Sequence, residues 1–428
     1  MKTMKWALLL AASCTTPAVF GQGFLKKLQK KAEDATVNKA GNVMEKGLNK
    51  SVDKAIDGKK PEAAPVTTGT PAAGGAVPAP AANTMAVYSK FDFVPGEQVV
   101  IADDFAQDAI GEFATLWNTS NKGEVVKIDG ANWLKMYQRS VYLTPNKNKF
   151  PENYTVEFDV ILDMHNKGWL YPEFGFTLLN SGQLDPSANA LMKNLHGEKA
   201  LAVNLFLGGQ NDTKGKLYTY AKGSTTFSTD YRDFRILEKY YGKPVHFAMS
   251  IQKQRFRLWI NEEKIYDLPK VVEDNFNQVA FAISGSNYSD NDLSFYLSNF
   301  KIATGKPDVR SKLLIEGKFS TTGITFDVNS DIIRPASYGV IKEIGDALNS
   351  DKAVAVQIIG HTDSDGSKTT NETLSLKRAA AVKKALVDLY QIGEERITVS
   401  GKGAAEPVAD NKTAEGKAKN RRVEFIKK

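Results

Sequence analysis

Apolar and polar residues alternate with a period of two through the middle of the chain, the spacing of half-buried strands. "YTVEFDVILDM" begins at Tyr154, and "ALAVNLFLGG", "GKLYTYAK", "VHFAMSIQKQRFRLWINEEKIYDL", "QVAFAISG" and "LSFYLSNFKIA" follow it, parted by Gly, Asn, Asp and Pro turns. So many short strands in one stretch predict an all-β antiparallel sandwich over residues 87–305. A transmembrane barrel fits less well. "IQKQRFRLWINEEKIYDL" spaces charges too densely for a lipid-facing band, and aromatic girdles are missing.

After "TGKPDVRSKL" the period changes. "GITFDVNSD" predicts a strand and turn, and Pro335 opens a helix whose apolar stripe is Ile341, Ile344 and Leu348. A buried strand "AVAVQIIG" follows, then a second helix from about Glu372 to Leu389, a strand "ITVSG", a loop with a short helical piece and a terminal strand "RRVEFI". This alternation predicts a compact α/β domain with a βαβαβ-type mixed sheet over residues 312–428.

Upstream of the sandwich the pattern is different. Lys2 and Lys5 precede an apolar run from Trp6 to Ala12, with small residues up to Gly21, which predicts an export signal over residues 1–21 cleaved before Gln22. Cys14 is the one cysteine, so a chain cleaved there has neither thiol nor disulfide; "AASC" as a lipid-attachment site at Cys14 is the less favoured alternative. Residues 22–58 are Lys-rich, with Leu25, Leu28 and Ala32, then Met44, Leu48, Val52 and Ile56 at helical spacing. A frayed amphipathic helix is expected there, with self-association or membrane-surface docking as its other uses. Residues 59–86 are a Pro/Ala/Gly/Thr linker without core-forming residues.

Charge changes the picture little. A formal +7 is spread along the chain, whereas nucleic-acid binding calls for clustered basic residues, so no nucleic-acid partner is expected. His165, His196, His246 and His361 are isolated, and neither a nucleophile–base set nor a metal-ligand spacing appears. "SNYSDND" (286–292) carries oxygens enough for calcium, yet reads more simply as a turn. No cofactor and no metal are expected. Trp133, Tyr137, Trp169, Tyr171 and Trp259 are candidates for stacking on sugar rings, although aromatic residues of a sandwich are more often core.

One stretch stands out chemically. In "GHTDSDGSKTTNETLSLKRAAAV", Asp363 follows a strand and Arg378 lies inside the next helix, two turns beyond Asn371 and on the same face. A direct Asp363–Arg378 ion pair capping the loop is the commoner arrangement for such spacing. The alternative is a pocket in which carboxylate and guanidinium address the two charges of a zwitterionic ligand, the planar fork of arginine suiting a carboxylate.

"FDVNSDIIRP", "IIGHTDSDG", "NETLSLKRAAAVKKAL" and "NRRVEF", in this order, resemble the OmpA-like peptidoglycan-binding domain shared with peptidoglycan-associated lipoproteins and flagellar stator proteins. The resemblance implies that Asp363 receives the ammonium, and Arg378 the carboxylate, of diaminopimelate in a peptidoglycan stem peptide. It also implies that Asn329, Asn371 and Arg421 complete the hydrogen bonds. Two positions depart from the family, Lys377 and Lys417; neither is expected to touch these contacts.

The phrases "VIADDFAQDAIGEFATLWNTSNKGEVVKIDGANWLKM" and "FRLWINEEKIYDLP" resemble concanavalin A-like lectin/glucanase jelly rolls. In glycosidases of that family a Glu-x-Asp-x-(x)-Glu run lines one strand face. Here Glu157 and Asp159 are followed by Ile161 and Leu162, so the second catalytic glutamate is missing and the pair is expected on a solvent face.

The sequence therefore predicts a non-catalytic envelope protein, in the periplasm or on the periplasmic face of the outer membrane of a Gram-negative bacterium. It would hold peptidoglycan noncovalently and tether the outer membrane or an envelope complex to the wall. An outer-membrane protein or glycan would partner the sandwich. A glycan-binding or glycan-hydrolysing jelly roll targeted by its C-terminal domain is the alternative.

Overall fold

Strand Asn153–Met164 organises the middle of the protein. Its alternate residues Tyr154, Val156, Phe158, Val160 and Leu162 enter a shared apolar core, as the period of two predicts. The computed structural model describes residues 91–145, 148–273 and 275–428. The export signal, Cys14, the Lys-rich segment and the linker lie outside the described residues.

Among the described residues two eight-stranded sheets face each other. The first runs Glu263–Leu268, Arg255–Ile260, Pro244–Gln252, Asn153–Met164, Leu293–Thr304, Ala131–Met136 and Gly123–Ile128, with Gln98–Asp103 also paired to Leu293–Thr304. The second runs Ser224–Ser228, Lys214–Ala221, Lys199–Phe206, Glu173–Asn180, Gln278–Ile283, Ser140–Leu143 and Asn118–Thr119, with Arg232–Asp233 also beside Lys214–Ala221. All pairings in both sheets are antiparallel. Phenylalanines join the sheets: Phe158 stacks on Phe247 with centroids 5.1 Å apart and meets Phe281 edge-on at 4.9 Å.

The opposite face of Asn153–Met164 departs from the sequence pattern. Glu157 and Asp159 were expected in solvent, yet they are only 4% and 2% exposed. The C-terminal part of the chain lies over this face, together with the segment leading into the sandwich. Phe91 and Phe93 pack on Ala248 and Trp259 of the outer face and on Ala336 beyond it. Gly339 comes so close that an added Cβ would sit 1.8 Å from the Phe93 carbonyl oxygen, so a glycine is required there.

Charges complete this junction. The Asp159 carboxylate accepts from Arg334 Nη1 at 2.7 Å, Asn299 Nδ2 at 2.7 Å and His246 Nδ1 at 2.7 Å. Glu157 pairs with Lys301 at 2.9 Å. Burial opposes the charge on His246, but Asp159 and Glu157 overcome it and hold the imidazolium up to about 9. Pairing two buried carboxylates with three cations is what makes a polar strand face compatible with a buried interface.

The C-terminal sheet has the order Lys318–Thr321, Val423–Lys427, Val356–His361, Ile397–Gly403, with the last two strands parallel and the others antiparallel. Helices Tyr338–Ser350 and Lys368–Tyr390 supply Ile341, Ile344, Leu348, Val382 and Leu386 to its core. Gly360 lets the second helix lie on the sheet, since a Cβ there would stand 2.1 Å from the Ser375 carbonyl oxygen.

Two expectations need correction. "GITFDVNSD" is not a sheet strand; only Phe326 bridges Ile333 across a turn, and the edge strand lies earlier, at Lys318–Thr321. The second helix also begins sooner, at Lys368, because the Ser367 hydroxyl accepts from the Thr370 N–H at 3.1 Å.

Candidate functional site

The loop 362–367 leaves the end of strand Val356–His361 and enters helix Lys368–Tyr390 through its Ser367 cap. Asp363 sits in this loop, its side chain 12% exposed. One carboxylate oxygen accepts the Asp365 N–H at 3.1 Å and the other accepts from Arg421 Nη1 at 2.7 Å. Asn371, buried in the first helical turn, donates its amide to the carbonyls of Asp363 at 3.3 Å and Asp365 at 2.9 Å. Its side chain thus shapes the loop that presents Asp363.

Arg378 lies further along the same helix, half-buried. Its Nε donates to the Ser330 carbonyl at 2.9 Å, and its guanidinium stacks over the Phe326 ring at 4.9 Å. Arg378 thereby fixes the 327–330 turn, in which Asn329 adopts a left-handed φ of 53° that asparagine tolerates. Asn329 is exposed at the mouth of a cleft of about 400 Å³, between this turn and Thr370, Thr373, Leu374 and Lys377 of the helix.

Asp363 and Arg378 make no direct bond, so the loop-capping ion pair suggested by their spacing does not form. Asp363 is held instead by Arg421, which follows the helix Ala414–Asn420. The two guanidinium groups nevertheless feel their neighbours. Burial, and then Arg421, push the Arg378 guanidinium below its usual range while Asp363 opposes them. Arg421 moves the other way: burial disfavours its charge, but Asp104 and Asp363 overcome that and raise it. The fork of Arg378 keeps its charge and directs one edge at the turn backbone.

Sequence reasoning missed the roles of four residues. Asp104, from the end of the first sandwich strand, meets Arg421 Nη2 at 3.1 Å. Lys417 pairs with Asp365 at 2.9 Å, so this departure from the family does touch the Asp363 loop. Lys377 lines the cleft. Arg334, unremarked in the sequence, is the cation that lets Asp159 be buried.

Elsewhere the candidates fall to structural roles. Trp133 and Trp259 are buried, which removes them as sugar platforms, whereas Trp169 remains 56% exposed. His361 is buried and held down to about 4 by desolvation and Arg422, hence neutral. Asp290 pairs with Lys122, and Asp292 with Lys167 and Ser289, consistent with a turn. Among the described residues no group of carboxylates, histidines and cysteines is arranged to hold a metal ion.

With this geometry in place, similarity to known proteins becomes informative. Residues 325–421 match the OmpA family model. The C-terminal α/β domain is OmpA-like. Outer membrane porin F of Pseudomonas fluorescens is 43% identical over 101 residues, 24% of this chain and 31% of that protein. Peptidoglycan-binding protein ArfA of Mycobacterium tuberculosis is 39% identical over 103 residues, 24% of this chain and 31% of that protein. The peptidoglycan-associated lipoprotein structure from Burkholderia pseudomallei is 28% identical, covering 26% of this chain and 89% of its own, with a TM-score of 0.24. The chain spans about 30% of the length of the first curated relatives it matches. Asp363, Asn371, Arg378 and Arg421 all fall within the OmpA-like segment, and Asp104 and Arg334's partner Asp159 do not.

Proposed function

We propose that this protein is a peptidoglycan-associated protein of the cell envelope, holding the wall noncovalently through the diaminopimelate of the stem peptide. Asp363 receives the ammonium and Arg378 the carboxylate of the zwitterionic end. Asn329 and Arg421 add hydrogen bonds, and Asn371 acts by holding the Asp363 loop. The observation that carries this reading is the arrangement of Asp363 and Arg378. They belong to the same side of one helix–loop unit, are each anchored to other groups, and are not bonded together. A carboxylate has lone pairs for more than two donors, and an arginine has five N–H groups, so both retain capacity for a ligand.

We further read residues 87–305 as a concanavalin A-like jelly roll, supported by the two packed antiparallel sheets, and residues 312–428 as the wall-binding domain. Export to the periplasm, or to the periplasmic face of the outer membrane, is consistent with the N-terminal signal pattern and with an outer-membrane relative. Among the described residues no helix is long and apolar enough to cross a membrane. The bound protein would link the wall to whatever its sandwich or N-terminal segment contacts. A glycosidase reading is disfavoured, because Glu157 and Asp159 are buried against Arg334, His246 and Lys301 instead of lining a cleft.

Cosedimentation with diaminopimelate-type peptidoglycan tests the proposal. Wild type should pellet, and Asp363→Asn and Arg378→Gln, each shown to be folded by circular dichroism, should remain soluble. Equal pelleting of all three would remove the clamp from the account.

A further inference from the structure

Arg421 has two carboxylate partners, and they come from different parts of the chain. Nη1 lies 2.7 Å from Asp363 Oδ2, in the loop just described, and Nη2 lies 3.1 Å from Asp104 Oδ2, in the sandwich. The OmpA-like domain contributes the first carboxylate and the guanidinium; the sandwich contributes the second.

Asp104 is fixed in place. The preceding residue, Asp103, accepts the Phe105 N–H at 2.9 Å and the Trp117 indole N–H at 2.9 Å. Phe105 is fully buried with a φ of 56°, so the chain turns sharply just after Asp104. Asp104 itself accepts the Ala106 N–H at 3.2 Å through its other oxygen. Beside it Val99 and Ala102 of the sandwich pack on Ala418 of the helix that leads to Arg421. The contact is therefore part of a packed junction and not the touch of a loose loop.

We propose that Asp104 is a positioning residue of the wall-binding site, neutralising Arg421 so that Asp363 keeps a net charge for a ligand ammonium; this rests on the reading given under Proposed function. The charge count shows why it is needed. Asp363, Arg421 and Arg378 alone sum to a net positive site, in which Asp363 is already matched by the guanidinium bonded to it. Lys417 and Asp365 cancel each other alongside, as do Lys377 and Asp331 at the adjoining cleft. An arriving ammonium would meet two guanidinium groups and one satisfied carboxylate. With Asp104 included the site is neutral, one carboxylate per guanidinium, which suits a zwitterion. Arg421 can then lean toward Asp104 as the ammonium engages Asp363, without leaving either charge unpaired. The sandwich is, on this account, a part of the site and sets its preference for ligands that carry an amine.

The test uses the full chain and two soluble tripeptides ending in diaminopimelate, one with its free terminal amine and one with that amine acetylated. Asp104→Asn should weaken binding of the free-amine peptide about tenfold, the size expected for one lost charge partner near the protein surface. It should leave the weaker binding of the acetylated peptide unchanged, and Asp104→Glu should restore the first. Tryptophan emission and the urea midpoint check that the variants fold. Equal weakening toward both peptides, or wild-type affinity in Asp104→Asn while Asp363→Asn loses binding, would overturn the role of Asp104 and leave the wall-binding reading intact. Failure of wild type to bind either peptide would take down both.

Discussion

The junction between sandwich and OmpA-like domain should weaken as pH rises, and His246 sets the range. Its imidazolium is held up to about 9 against an ordinary 6.5, because Asp159 and Glu157 outweigh the cost of burial. A folded-state value above the unfolded one means that the stabilisation is fully present below about 6.5 and is lost as pH climbs through about 9. The shift corresponds to about 3 kcal/mol, and the ring's 20% side-chain exposure brings that to on the order of 2 kcal/mol. Roughly two-fifths of it should already be gone at about pH 7.5, since the loss begins once the unfolded histidine has released its proton. Urea unfolding followed through Trp259, buried at this face, would be measured from about pH 6 to 10 for wild type and His246→Gln. The difference between the two should shrink by on the order of 2 kcal/mol across that range, which removes the contribution of lysines and tyrosines common to both. Parallel curves would mean that folding leaves the His246 pKa unshifted, so that Asp159 and Glu157 do not favour its charged form and the junction is held by Arg334 and Lys301 without it.

Other consequences are more local. Gly339→Ala places a Cβ against the Phe93 carbonyl and should cost about 1–3 kcal/mol in urea unfolding, while the same change at the solvent-facing Gly130 should differ by its positive φ alone. Ser367→Ala removes the cap of the long helix and should cost about 1 kcal/mol, with faster hydrogen exchange at the Thr370 amide. Arg378→Lys keeps the charge but loses the planar fork; binding to diaminopimelate-type wall should drop about tenfold or more, with the circular dichroism spectrum unchanged.

How far the sequence carried these conclusions depends on the range of the interaction. Period-two alternation identified Asn153–Met164 and marked residues 245–268 as strand-forming, because strand faces are written in neighbouring residues, but did not divide the latter stretch into its three strands. It assigned Glu157 and Asp159 to solvent for the same reason, and failed there, since Arg334, distant in the chain, reaches Asp159, and Phe91 and Phe93 cover Ala248 and Trp259 beside them on that face. "GITFD" alternates like a strand yet forms a turn, because the sheet edge was already taken by Lys318–Thr321. Asp363 and Arg378 were legible through their place on a strand end and a helix face. Spacing alone left their pairing open, and only the resemblance implied that they stand apart, because the separation depends on Arg421 reaching Asp363 and on the Ser330 carbonyl engaging Arg378. Nothing local marks Asp104 among the acidic residues of "IADDFAQD" as the one that meets Arg421.

The central claim is that Asp363 and Arg378 together grip both charges of one amino-acid end. Isothermal titration of the full chain with a tripeptide ending in diaminopimelate, beside the same tripeptide ending in lysine, tests it most directly. Lysine keeps the ammonium and lacks the second carboxylate. The account predicts saturable heat with the diaminopimelate peptide, abolished in Asp363→Asn, and no measurable binding of the lysine peptide. Equal affinity for the two peptides, or full binding by Asp363→Asn, would contradict it.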